Sequence, residues 1–109
     1  MTRSFTVVKN NVEDGVYPAS INGFKIKDNR IYLELCLENG SIFRPSSISM
    51  ELTEKNPLYQ YFKKLGYSDE EIPQIQCEDL IGENAVFTIQ NEEGNTVIFS
   101  NIVNIELAN

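Results

Sequence analysis

The stretch that decides the fold runs Arg30-Ile31-Tyr32-Leu33-Glu34-Leu35-Cys36-Leu37-Glu38-Asn39-Gly40-Ser41-Ile42-Phe43. Ile31, Leu33, Leu35 and Leu37 alternate with Tyr32, Glu34, Cys36 and Glu38. Successive side chains of a strand point to opposite faces, so this pattern predicts a strand with one face in a core and the other facing solvent or a ligand. Asn39-Gly40 predicts a tight hairpin, because both residues tolerate the positive φ of a two-residue turn. Ser41 to Ser47 then reads as the return strand, carrying Ile42, Phe43, Arg44 and Pro45.

On the N-terminal side, Val16 to Lys27 reads as one long strand. Pro18 belongs near its start or on an edge, since proline cannot donate to a ladder, and Gly23 predicts a bulge or sharp coil. Lys27-Asp28-Asn29-Arg30 reads as the tight turn into the next strand. Phe5 to Val8 is short and β-prone, an extra strand or an ordered arm.

On the C-terminal side the period changes. Asn56 can cap a helix and Pro57 suits its first position. Leu58, Tyr61, Phe62 and Leu65 recur at helical spacing, and Gly66 supplies the left-handed stop. Ser68 with Glu71 forms a capping box for a short second helix ending before Pro73, and Asp79-Leu80-Ile81-Gly82 reads as one more helical turn. Strand character resumes at Asn84, with Ala85, Phe87 and Ile89 alternating. Asn91 to Asn95 reads as a hairpin loop, and Thr96 to Leu107 as the last strand with an irregularity at Asn101.

The expected class is therefore mainly β with one or two short helices. Strand, strand, strand, helix, strand, strand fits a five-stranded Greek-key barrel of the OB-fold type, with the helix between strands 3 and 4. A single flat sheet with one helix is the alternative, but it does not require Pro18 and Gly23 in a bent first strand. The 109 residues are read as one domain, residues 1–14 being the arm or extra strand and 15–107 the barrel.

All nine cations, from Arg3 to Lys64, lie in the first 64 residues with seven acids, a net +2 there. The remaining 45 residues hold nine acids and no Lys or Arg, giving the overall −7. So split a charge lets one face bind a polyanion while another repels it. No apolar run reaches the ~18 residues of a membrane helix, and Met1-Thr2-Arg3-Ser4-Phe5 lacks the apolar stretch of a signal peptide. The isolated Cys36 and Cys77 read as small apolar residues of a reducing compartment, so a cytoplasmic protein is expected. Asn39-Gly40-Ser41 matches a glycosylation sequon but reads as turn chemistry.

Catalysis finds little support. Without histidine, the commonest general base and metal ligand is absent, and the scattered glycines form no phosphate loop. Glu34 and Glu38 share a strand face but stand ~13 Å apart along it. No enzyme activity, metal or cofactor is expected. Nucleic-acid binding has more behind it. Lys25, Lys27 and Arg30 cluster at the first hairpin, Tyr32 lies on the polar face of the next strand, and Arg44 with Phe43 lies on the third. Cations that track phosphates and rings that stack bases are the general solution for single strands. Tyr17 and Phe24 are further stacking candidates. The alternative is a protein-interaction module using Tyr59, Tyr67, Asp69, Glu70, Glu71 and Asp79 to bind or inhibit a basic partner or to join an assembly. The exposed helix rings would also allow a homo-oligomer.

The chain resembles small OB-fold single-stranded-DNA-binding proteins of phages and Gram-positive mobile elements. The resembling pieces are Asp14-Gly15-Val16-Tyr17-Pro18-Ala19, the Tyr32-to-Phe43 hairpin, Leu65-Gly66 after a helix, and Asp79-Leu80-Ile81-Gly82 before Ala85-Val86-Phe87-Thr88-Ile89. The resemblance implies sequence-tolerant coating of single-stranded DNA in replication or recombination.

Overall fold

A computed structural model describes residues 4–108. Met1–Arg3, the outer part of the expected arm, lie outside the described residues. Among the described residues there are seven strands: β1 (Val8–Lys9), β2 (Gly15–Lys27), β3 (Arg30–Leu37), β4 (Ile42–Phe43), β5 (Ile48–Ser49), β6 (Asn84–Glu93) and β7 (Ile98–Leu107). One α-helix, α1 (Pro57–Lys64), and two 3-10 turns, Ile72–Gln74 and Cys77–Leu80, fill the segment between β5 and β6. The fold is mainly β with short helices.

The strands form one sheet in the order β1-β4-β3-β2-β6-β7, with β5 also paired to β3. This is an open path, not the closed five-stranded barrel expected, because no ladder joins β7 to β4 or β5 among the described residues. The third strand causes the opening. Pro45 has no N–H to donate, and the chain leaves β3 after Phe43 and rejoins it at Ile48. In the gap, one backbone hydrogen bond from Ser46 N to Ser100 O, 2.8 Å, reaches across to β7.

β2 serves two neighbours with its two halves. Gly15–Ser20 pairs with β6 and Ala19–Lys27 with β3, so only Ala19 and Ser20 are flanked on both sides. Pro18 falls where its strand has one neighbour, and the register slips between Ile21 and Gly23, as expected of a bent strand.

The first hairpin turn forms at Lys27 to Arg30 as expected, and the second differs in detail. The two-residue turn with positive φ is Asp28-Asn29, at 53° and 58°. At the other end of β3 only Gly40 has positive φ, 87°. Gly40 N donates to Leu37 O and Leu37 N to Ser41 O, which closes a three-residue loop, Glu38 to Gly40, ending in a left-handed glycine. Asn39 instead accepts from Ser41 N through Oδ1.

Ile31, Leu33, Leu35 and Leu37 are buried, as their alternation required, and meet Ile21, Phe43, Phe87, Ile89 and Ile105 in one core. α1 closes it with Leu58, Tyr61 and Phe62. Asn56 caps α1 by accepting from Leu58 N at 2.8 Å. Ser68 and Glu71 form the expected box, Glu71 Oε1 accepting from Ser68 N and Ser68 Oγ from Glu71 N. The turn that follows incorporates Pro73 instead of ending before it, since proline is tolerated in a first turn.

The last hairpin is longer than expected. Asn91, Glu92 and Glu93 belong to β6, and the loop is Gly94 to Val97. Asn91 is held in the strand from outside: its Nδ2 donates to Val12 O and its Oδ1 accepts from the Ser100 hydroxyl. Asn101 pairs regularly with Gln90; the extra residue is Val103, where the register shifts between Thr88 and Ile89.

Candidate functional site

The exposed face of the β2–β3 hairpin assembles the predicted cations. Residues directly opposite one another across an antiparallel pair share a face. Lys25 stands opposite Tyr32, and Lys27 opposite Arg30. Tyr32 is 40% exposed. Phe24, Lys25, Lys27, Tyr32 and Arg44 line one groove of about 730 Å³, whose far wall is Ile98 and Phe99 of β7.

The cations there differ in how they are engaged. Lys25 and Lys27 form no ion pair among the described residues. Arg44 Nε lies 3.7 Å from Glu34 Oε2, both side chains partly open to water, a pair of the weak surface kind that a phosphate could displace. Glu34 also accepts from Asn22 Nδ2 at 3.1 Å. Arg30 stands outside the groove lining. Its Nε donates to Ser47 Oγ at 2.6 Å and its Nη2 to Ser47 O at 3.1 Å, which pins the guanidinium to the β5 side of the hairpin.

Two expected rings are removed from the site. Phe43 has no exposed surface and stands opposite Leu35 on the core side, so it cannot stack a base. Arg44 points outward, and the residue before it must then point inward. Tyr17 lies away from the groove, its hydroxyl donating to Glu13 O at 2.6 Å. Phe24 is half-buried, with its inner part against the core. Phe99, 46% exposed, is a groove ring that sequence reasoning missed. The available signal was its phase: it is out of step with the core positions Ser100 and Ile102.

The residues of the partner-binding alternative lie around α1 and the turns after it. Tyr59 Oη donates to Asp69 Oδ1 at 2.7 Å, and Lys63 Nζ lies 3.3 Å from the same oxygen and over the Tyr59 ring. Hydrogen bonds from Tyr59 and then Lys63 hold the Asp69 carboxyl below its usual range, and the same bond raises the Tyr59 phenol. Glu71 is lowered by the Ser68 backbone and hydroxyl. Tyr67 is 39% exposed and meets Phe62 edge-on. Glu70 and Asp79 are exposed. Tyr59 and Asp69 thus form one cluster, whereas Glu70, Glu71 and Asp79 form a solvated surface beside it.

Both cysteines are free and half-buried, and burial followed by Glu78 pushes the Cys77 thiol up. Among the described residues no His, Cys, Asp or Glu group converges as a metal site, and no helix is long and apolar enough to cross a membrane. No protein-family model matches this chain, and no curated protein matches it in sequence.

Proposed function

We propose that this protein binds single-stranded DNA without sequence preference, in the replication or recombination of a phage or mobile element. Phosphates run along Lys25, Lys27 and Arg44, with Arg30 at the hairpin end, and a base stacks on Tyr32. The observation that carries this function is the pairing of Lys25 with Tyr32 across β2 and β3, on a face where neither Lys25 nor Lys27 is neutralised by a carboxylate. A cation and an exposed ring at adjacent positions match the alternation of charge and π-face along a single strand. Phe99 on the opposite wall offers a second platform.

The proposal includes an OB-like descent for the sheet, with β2, β3, the interrupted β4–β5 strand, β6 and β7 as its five strands and α1 in the third connection. The Ser46–Ser100 hydrogen bond, at the place where such a barrel would close, supports it. In that arrangement the face of the second and third strands is the nucleic-acid face.

Fluorescence anisotropy with labelled oligo-dT is the test. Binding is expected at about 50 mM salt and should fall with a log–log slope of about −2 to −3, given about −0.7 per contacted phosphate. Lys25→Glu with Lys27→Glu should abolish it. No anisotropy change at low salt, or a double variant that binds like the parent, rejects the proposal.

A further inference from the structure

We propose that the cleft beneath α1 docks a peptide segment of a partner protein in which a large apolar side chain stands next to Lys or Arg. The cleft holds about 770 Å³, within the roughly 300–1,000 Å³ of pockets that engulf ligands. It lies across β3 from the groove, since Ile31, not Tyr32, reaches into it, and the two share no lining residue. Leu52, Leu58, Phe62 and Ile75 give it apolar walls. Polar groups are few: Thr53, Glu54 and the Tyr59–Asp69 pair.

Charge complementarity selects the occupant. Glu54 and Asp69 are the acids that line the cleft, and the segment 68–83, which supplies Ile72, Pro73, Ile75, Cys77 and Leu80 to the lining, also carries Glu70, Glu71, Glu78, Asp79 and Glu83 and no Lys or Arg. Lys63 offsets only Asp69. An apolar anchor flanked by acids would be repelled by this acidic segment, whereas a basic flank is attracted and steered. Burial of the anchor supplies the affinity, and the acids set orientation and choice of partner.

Cys77 lines the cleft and reports on it. In a Cys36→Ser chain, the rate of maleimide labelling of Cys77 is measured with three peptides: Phe flanked by Lys and Arg, Phe flanked by Glu, and the basic flanks around Ala. The first is expected to slow labelling about tenfold at saturation, and the other two to leave it within about twofold. Ile75→Glu, at a half-buried wall, should abolish protection. The exposed Glu54→Lys, which leaves the walls intact, should weaken the peptide severalfold while the uncomplexed chain unfolds at the parent temperature. No protection at millimolar basic peptide, or equal protection by the acidic one, overturns the proposal. So does labelling that slows with protein concentration alone, which would give the cleft to a second copy of this chain. Oligo-dT should leave Cys77 labelling unchanged, so this proposal and strand binding stand or fall separately.

Discussion

The two faces of β3 differ in how their side chains are satisfied. On the inner face Ile31, Leu33, Leu35 and Leu37 are at most 8% exposed and touch other apolar groups on every side. On the outer face Tyr32 and its neighbours Lys25 and Lys27 have water where a partner would be. The cations that end α1 are in a third condition: Lys63 is paired with Asp69 and Lys64 with Glu106. Position along the chain therefore does not decide what a cation does. Those of α1 hold the fold together locally, Arg30 is tied to Ser47, and Lys25 and Lys27 of the first hairpin have no carboxylate partner among the described residues.

The comparison breaks first at the inner face. Leu35 is fully buried, so Leu35→Ala should cost about 2–5 kcal/mol in urea unfolding, the range for deleting a packed leucine. A loss well under that would mean the inner face collapses around the gap, and the contrast between faces would be overstated. Tyr32→Ala is the matched change one position away. It should move stability by no more than about 0.5 kcal/mol and yet remove about 1–3 kcal/mol of oligo-dT affinity, the worth of one stacked base. Unchanged dT binding in Tyr32→Ala would leave the outer face as ordinary surface.

A smaller effect tests the roof of the cleft. Asn56 is buried, accepts from Leu58 N, and donates from Nδ2 to Ser49 O at 2.9 Å. It thus ties the start of α1 to the end of β5. Asn56→Ala should cost about 1–2 kcal/mol, the upper part of the N-cap range, because the part-buried Ser49 carbonyl also loses its donor. Asn56→Asp keeps the cap acceptor and loses only that donor, so its cost in thermal unfolding should be intermediate. Equal costs for the two variants would show that the tie to β5, not the cap, carries the residue.

What could be read from the sequence follows from how local its causes are. The core of β3, the cap at Asn56 and the bend of β2 came from residues whose signal lies within a few positions. Phe43 failed for a reason equally local: it is one residue from Arg44, and adjacent strand residues cannot both face the groove. The open sheet, the long β6 and the extra residue at Val103 were not legible, because they depend on partners far along the chain. Asn91 looks like a loop residue until Val12 and Ser100 meet it. Of the candidate site, Lys25 and Lys27 were legible from shared strand parity and Tyr32 from its place on the polar face, whereas their meeting with Arg44 in one groove depends on how β2, β3 and β4 pair. Phe99 was missed because it reaches that groove from β7. The cleft was invisible for the same reason, its walls coming from β3, the segment after β5, α1 and the 3-10 turns.

The smallest expected effect concerns the Lys64 anchor, and pH separates its parts. Lys64 Nζ lies 2.8 Å from Glu106 Oε1 and also donates to Ile105 O at 2.9 Å, joining the end of α1 to β7. Hydrogen bonds from Lys64 and then Asn104 hold the Glu106 carboxyl below its usual value. A carboxyl lowered on folding stabilises the fold above its unfolded pKa, and that contribution is lost as pH falls through the folded value. The window thus opens below about pH 4.3, the ordinary glutamate value. Lys64→Met should lower the unfolding temperature by a few degrees at neutral pH, by less in high salt, and by less again at about pH 3. A residue of the effect should persist in acid, since the bond to Ile105 O does not titrate. A difference between variant and parent that is the same at both pH values would show that Lys64 works through the backbone carbonyl alone, and that the helix cations, like those of the hairpin, are indifferent to nearby carboxylates.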